Sequence, residues 1–340
     1  MTNLDELFPP RGNLPWLRER TILLTRHGSH AYGLNTPTSD RDYKGVAVPP
    51  REYFLGFASV FEQAESGEPD LVIYELRKFF RLARDCNPNI IEVLFTDPSD
   101  HLVKTAAAER LLAGRDLFLS RKAKHTFSGY AIAQLKRLSA HQRWLRDPPA
   151  GPPRREDFGL RPEATGSGAT GADEQATASG AGEASEARAA GETGASEARA
   201  AGEVSASEAS GLSDAEREYR ARKQEWAAYQ NWLSTRNKAR AELEARFGYD
   251  VKHGMHVVRL LRMCREILAE GRVVVRRPDR DDLLAVRSGA WPYDRLVAWA
   301  TEQDAAMSEL YERSPLPRTP DTKALDALCI SIAEMLLGPG

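Results

Sequence analysis

The run GSHAYGLNTPTSDRD, from Gly28 to Asp42, is bracketed by two segments that read as strands. Thr21-Ile22-Leu23-Leu24-Thr25 precedes it, and a second extended segment, Tyr43 to Val48, follows. In extended backbone, residues i and i+2 share a face, so the carboxylates of Asp40 and Asp42 can converge on one spot. Two carboxylates on one face repel unless a cation sits between them, and hard oxygen donors suit Mg²⁺ or Mn²⁺. The Gly28-Ser29 turn brings backbone N–H groups and a hydroxyl nearby, which suits an anion such as a polyphosphate tail. Gly33 allows the loop to turn. A D-x-D pair alone also fits a solvated turn, with Arg41 and Lys44 as surface partners. The longer order of strand, Gly-Ser, spacer, Ser-Asp-x-Asp, strand is more restrictive. Metal and phosphate together point to nucleotide chemistry.

The rest of the composition narrows the classes. A net charge of -2 gives no bulk pull toward nucleic acid, so any basic patch must be local. Cys86, Cys264 and Cys329 have no C-x-x-C spacing, which suits a reducing cytosol rather than a disulfide framework. The first sixteen residues lack a signal peptide's pattern, and no apolar stretch reaches membrane-spanning length. The expectation is a cytoplasmic protein with no membrane partner.

The chain falls into three compositional parts. Strands are expected near 21–26, 42–48 and 70–75. Helices are expected at 75–86, 88–95, 104–113, 121–146, 213–247, 250–270, 281–288, 293–313 and 322–337. A strand-like run covers Arg272 to Arg276, and Asp279 is placed to cap the following helix. Residues 151–211 are almost all Ala, Gly, Ser, Glu, Thr and Arg, with SEARAAGE occurring twice. Such a segment cannot repay its ordering entropy and is expected to be a disordered insertion. The fold class is therefore α+β, a small mixed-sheet domain followed by a helical one.

Two further clusters carry chemistry. Asp70 opens the apolar run ending at Glu75. Their odd separation makes them face opposite ways on a regular strand, so only one can join the aspartate pair. In the helix after Gly248, Lys252, His256 and Arg259 share a face. That helix is apolar over most of its circumference, so its basic stripe should face a cleft and meet an anion there. A triphosphate, a nucleic-acid phosphate or the acidic site itself would serve. Internal pairing, for example with Asp250, Glu242 or Glu244, is the alternative. His253 and His256 lack a third ligand at zinc spacing.

The blocks HGSHAYGLNTPTSDRDYKGVAVPP, YELRKFFRLARDCNPNIIEVLF, FSGYAIAQLKRL, FGYDVKHGMHVVRLLRMCREILAEG and LLAVRSGAWPYDRL occur in that order. They resemble the DNA polymerase beta superfamily of nucleotidyltransferases, and within it the family associated with RNA ligases in RNA repair. The resemblance covers roughly residues 20–145 and 235–300. It implies a polymerase-beta-like catalytic domain over 1–115 and a helical substrate-side domain over 116–150 and 212–340, interrupted by the insertion at 151–211. It also implies transfer of a nucleoside monophosphate from an NTP to an acceptor hydroxyl, an RNA end in repair, with a functional link to an RNA ligase. Asp40 and Asp42 would hold Mg²⁺ or Mn²⁺ with a third carboxylate, for which Asp70 is favoured over Glu75. That third residue would help deprotonate the acceptor. Gly28 and Ser29, with Ser39, Lys252, His256 and Arg259, would bind the nucleotide, Ser29 at the β- or γ-phosphate. Ser39 is equally placed to brace its loop. Transfer to a protein or small molecule, and non-catalytic nucleotide or RNA binding, are the alternatives.

Overall fold

The computed structural model describes residues 4–8, 14–67, 70–162, 213–236 and 238–338. The strands at its centre form where the apolar content is densest. Strand β1 (Thr21–His27) is buried at six of its seven positions, as a strand covered on both faces must be. It pairs antiparallel with β2 (Asp42–Ala47) on one side and with β5 (His101–Lys104) on the other. β2 pairs in parallel with β4 (Asp70–Glu75), and β3 (Gln63–Ser66) closes the far edge. The order β3-β4-β2-β1-β5 makes one mixed five-stranded sheet. Leu24, Tyr43, Ala47, Leu71 and Ile73 fill its core with Leu7 and Phe61.

The short helix α1 (Gly28–Tyr32) follows β1 directly. Helices α2 (Leu76–Arg84) and α3 (Pro88–Leu94) pack on the sheet, α2 against β4 and β2, α3 against β1. Asn87 caps α3 through its side chain, and Thr105 caps α4 (Ala106–Ala113) in the same way. Helix α5 (Gly129–Arg146) is preceded by a π turn at Lys124–Ser128, so the helix expected from residue 121 begins irregularly. Farther on lie α6 (Asp214–Thr235), α7 (Lys238–Phe247), α8 (Val251–Glu270), α9 (Arg280–Arg287), α10 (Tyr293–Arg313) and α11 (Thr322–Leu337). The single helix expected over 213–247 is two, with Arg236 in extended backbone after the first.

Two compact units result. One comprises residues 1–135 and 251–340, so the helices α8 to α11 fold with the sheet. Within it α8 packs against α9 and α10, and α11 against α2 and α4. The other comprises residues 136–250. There Trp144, Tyr229, Trp232 and His141 stack together, and Arg236 donates to Glu244 at 2.6 Å. Residues 151–162, at the start of the expected insertion, are folded there: Arg155 pairs with Glu216 at 2.8 Å and Phe158 meets Tyr219 edge-on. From residue 163 to 212 the expected insertion lies outside the described residues.

The strand-like run 272–276 forms no strand and joins no sheet. Asp279 does precede α9, yet its carboxylate makes no cap bond. It is occupied by Arg277 at 2.8 Å and Arg262 at 2.6 Å. No helix among the described residues is long and apolar enough to cross a membrane.

Candidate active site

The chain leaves β1 at His27 and must turn at once. Gly28 takes φ +62°, a left-handed conformation open to glycine, and Gly33 ends α1 in the same region at φ +71°. A Cβ on Gly28 would collide with the carboxylate of Asp42. The acid therefore occupies the space that the missing side chain leaves. Ser29 is the second residue of this turn, half-buried. Beyond it, Ser39 Oγ accepts from Thr36 N–H at 2.8 Å and meets the Thr36 hydroxyl at 3.1 Å, which braces the loop carrying Asp40.

Sheet register assembles the acids. Asp42 stands opposite His27 across the antiparallel pair and beside Asp70 across the parallel pair. Burial pushes the Asp42 carboxyl up to about 6, and the charges of Asp70 and Asp40 add to the shift. Lys44 and Lys252 oppose it. Asp40, Asp70, Lys44 and Lys252 are thus each close enough to act on Asp42.

Glu75 is elsewhere. It aligns with Ala47 at the other end of β4, five residues from Asp70, or about 16 Å of strand. Buried there, it caps α2 by accepting from the Lys78 N–H and from Arg77 Nε, both at 2.9 Å. Of the two candidates for a third carboxylate, only Asp70 lies beside Asp42. Among the described residues no three His, Cys, Asp or Glu side chains form a metal cage by themselves. Any divalent ion held here would draw on Asp42, Asp70 and Asp40 together with oxygens from a ligand.

The basic stripe of α8 divides. Lys252, exposed in the first turn, reaches the acids electrostatically. His256 is half-buried between the two ends. Arg259 is only 4 % exposed and forms an ion pair with Glu92 of α3, not with Asp250, Glu242 or Glu244. Its guanidinium lies 3.8 Å from the centre of the Tyr32 ring. The Tyr32 hydroxyl donates to Glu92 Oε2 at 2.5 Å, and His27 Nε2 lies 3.5 Å from the same oxygen. Burial holds His27 well below its ordinary value, aided by Lys44 and Arg259, so it is neutral at neutral pH. Burial likewise raises Tyr32, which stays a proton donor. For Arg259 burial works against the charge, but the Glu92 carboxylate outweighs it.

Two features escape reasoning from sequence. Glu92 is one; its signal is a single acid inside the apolar run Ile90-Ile91-Glu92-Val93-Leu94. The other is a clasp on the α1 loop. Arg277 N–H donates to the Tyr32 carbonyl at 3.0 Å, Arg280 Nε to Gly33 at 2.6 Å, and Arg287 to Leu34 at 3.1 Å.

Residues 16–146 match the RNA repair pathway DNA polymerase beta family. The resemblance seen in the motifs holds over that segment. The family is polymerase-beta-like, a nucleotidyltransferase family linked to RNA repair. The match contains Gly28, Ser29, Asp40, Asp42, Asp70 and Glu92; Lys252 and Arg259 lie beyond it. An uncharacterized 38.9 kDa protein in the nrdC-mobD intergenic region of Enterobacteria phage T4 is 33% identical over 89 residues. The alignment covers 23% of this chain and 26% of that protein, about a quarter of the relative's length. No solved structure matches.

Proposed function

We propose that this protein is a metal-dependent nucleotidyltransferase that moves a nucleoside monophosphate from an NTP to an acceptor hydroxyl, with an RNA end as acceptor. The observation that carries this is the placement of Asp42: half-buried, flanked by Asp70 in register, and set against a glycine turn with no room for a side chain. Burial raises Asp42 most, and the charges of Asp70 and Asp40 add repulsion to it. A cation relieves that repulsion.

The donor set fits Mg²⁺ or Mn²⁺. All the donors are hard oxygens, and Mg²⁺ is usually held by one or two carboxylates plus substrate phosphates rather than by an all-protein cage. That fits acids that lie near Asp42 without closing a cage of their own. Asp40, Asp42 and Asp70 would hold the ion, which when bound neutralises charge on the phosphates and favours the alkoxide of the acceptor.

The chain's own groups do the rest. Ser29 and the backbone of its glycine turn bind the β- and γ-phosphates. Lys252 supplies a positive charge on the opposite side, balancing the triphosphate. The acceptor oxygen attacks the α-phosphorus, the bond to the bridging oxygen breaks, and pyrophosphate leaves. Asp70 takes the acceptor's proton. His256 and Ser39 flank the nucleotide, Ser39 by shaping the loop that carries Asp40.

The test is incubation with each α-labelled NTP, Mg²⁺ or Mn²⁺, and RNAs with defined 3′ and 5′ ends. Label on an RNA end, with pyrophosphate released, is the expected result. Label on protein alone would replace the RNA acceptor with a protein. No label and no pyrophosphate with any NTP would overturn the proposal. An acceptor at an RNA end would also place the product upstream of strand joining, which is the functional link to an RNA ligase.

A further inference from the structure

The buried pair Arg259–Glu92 joins α8 to α3. Glu92 belongs to α3, which packs on β1 just before the glycine turn. Its carboxylate takes the hydroxyl of Tyr32, the last residue of α1, and lies against His27, the last residue of β1. The far end of the Gly28–Tyr32 turn is therefore held on this acid through Tyr32, while His27 at its near end lies close by without a hydrogen bond. Arg259 brings α8 to that same acid and lays its guanidinium on the Tyr32 ring. Met263 Sδ, one turn farther on, lies 3.2 Å from the guanidinium.

Lys252 is seven residues before Arg259 on α8, two turns away on the same face. A straight helix fixed at one point by a buried ion pair fixes its neighbouring turns as well. One helix thus joins an internal anchor to an exposed cation whose charge acts on Asp42.

We propose that the Arg259–Glu92 ion pair is a positioning device: it registers α8 against the Gly28–Tyr32 turn, and so sets Lys252 opposite the aspartates for the triphosphate. Neither residue touches the substrate. Both act through others, Arg259 through Lys252 and Glu92 through Tyr32. This rests on the function proposed above in one respect only, that the anion received by Lys252 is a triphosphate.

A double-mutant cycle on Lys252→Ala and Arg259→Met tests it. The four proteins are compared for kcat/KM in pyrophosphate release and, separately, for the Kd of magnesium tripolyphosphate by calorimetry. Urea denaturation of each reports the fold. Positioning through Lys252 requires non-additivity: Arg259→Met weakens binding about tenfold when Lys252 is present and less than about twofold when it is absent. Equal losses in both backgrounds would overturn the proposal, because damage of a general structural kind does not depend on Lys252.

Should Arg259→Met leave Glu92 charged and the protein unfolded, the pair Glu92→Gln with Arg259→Met removes both charges at nearly constant volume. It then serves as the anchorless protein in the same cycle. Arg259→Lys should recover only part of the loss, since an ammonium cannot both bond Glu92 and lie flat on Tyr32. If wild type binds tripolyphosphate but releases no pyrophosphate, the functional proposal fails and the positioning result is still read from Kd. If wild type binds no tripolyphosphate, there is nothing for Lys252 to receive, and the positioning proposal fails too.

Discussion

Replacing Asp42 by Asn should make the protein more stable while abolishing its activity. In the unfolded chain an aspartate ionises near the ordinary value of 3.8, whereas in the fold Asp42 holds its proton up to about 6. Between those values the native state binds a proton that the unfolded state has released, so stability falls as pH rises through this window. Above it, the ionised carboxylate costs the fold about 3 kcal/mol at 1.36 kcal/mol per unit, trimmed to about 2 by its partial access to water. The amide of Asn keeps the shape beside Gly28 and carries no charge, so that penalty disappears. Urea denaturation at pH 8 should put the Asp42→Asn midpoint higher by up to about 1 M, and the gap should close below pH 4. Magnesium and a non-hydrolysable NTP should reverse the order. At a hundredfold excess over Kd they add about 2.7 kcal/mol to wild type and nothing to a variant that cannot bind them. A variant less stable than wild type at pH 8, or a gap that does not change with pH, would refute the electrostatic account of the site.

Three further outcomes follow from the geometry. Gly28→Ala should lose at least about 2 kcal/mol, from the left-handed backbone and the collision with Asp42, and pairing it with Asp42→Ala should recover part of that in a denaturation cycle. Asp70→Asn should lower the rate of pyrophosphate release by about a hundredfold or more, whereas Glu75→Gln should keep the rate within about threefold and cost about 1 kcal/mol of stability as a weakened cap. Because Asp42 must be ionised to take a metal, pyrophosphate release should fall as pH drops through about 6, and raising Mg²⁺ should move that limb to lower pH. A limb fixed against Mg²⁺ would mean that another group governs it.

The sheet's centre was legible in the sequence and its edges were not. β1 and β4 are dense in β-branched and large apolar residues because they are covered on both faces, and β2 between them shows itself by Tyr43 and Val46. β3 reads Gln-Ala-Glu-Ser, a short polar edge strand of the kind that avoids pairing with another chain, and nothing in its composition announces a ladder. β5 is four residues long and directly precedes the Thr105 cap, so it merges with the start of a helix. The run 272–276 errs the other way. Val273 and Val275 are buried alternately, as in a strand, but the chain there is covered rather than paired. A period of two reports which side is buried. It does not report whether another strand lies alongside.

In the site, the same distinction separates what local pattern can and cannot show. The Gly-Ser turn and the two aspartates are legible because their chemistry is confined to fifteen consecutive residues. The stripe on α8 reads as needing anions, but the internal partners that the sequence suggests for Arg259 are acids close to it along the chain. Proximity along the chain is a sound guide for exposed pairs on one helix, where the geometry is supplied by the helix itself. For a buried charge the deciding quantity is desolvation, which only another buried, well-aligned charge can offset. Glu92 is the only acid in α3 and sits among Ile90, Ile91, Val93 and Leu94, with 1 % of its surface exposed. An acid so placed must have a cation, and Arg259 is the base most nearly enclosed by its own apolar helix. Matching the two by their shared need, rather than by their spacing, joins residues 167 positions apart. It also explains why the helix that carries Lys252 is tied to the turn that carries Ser29.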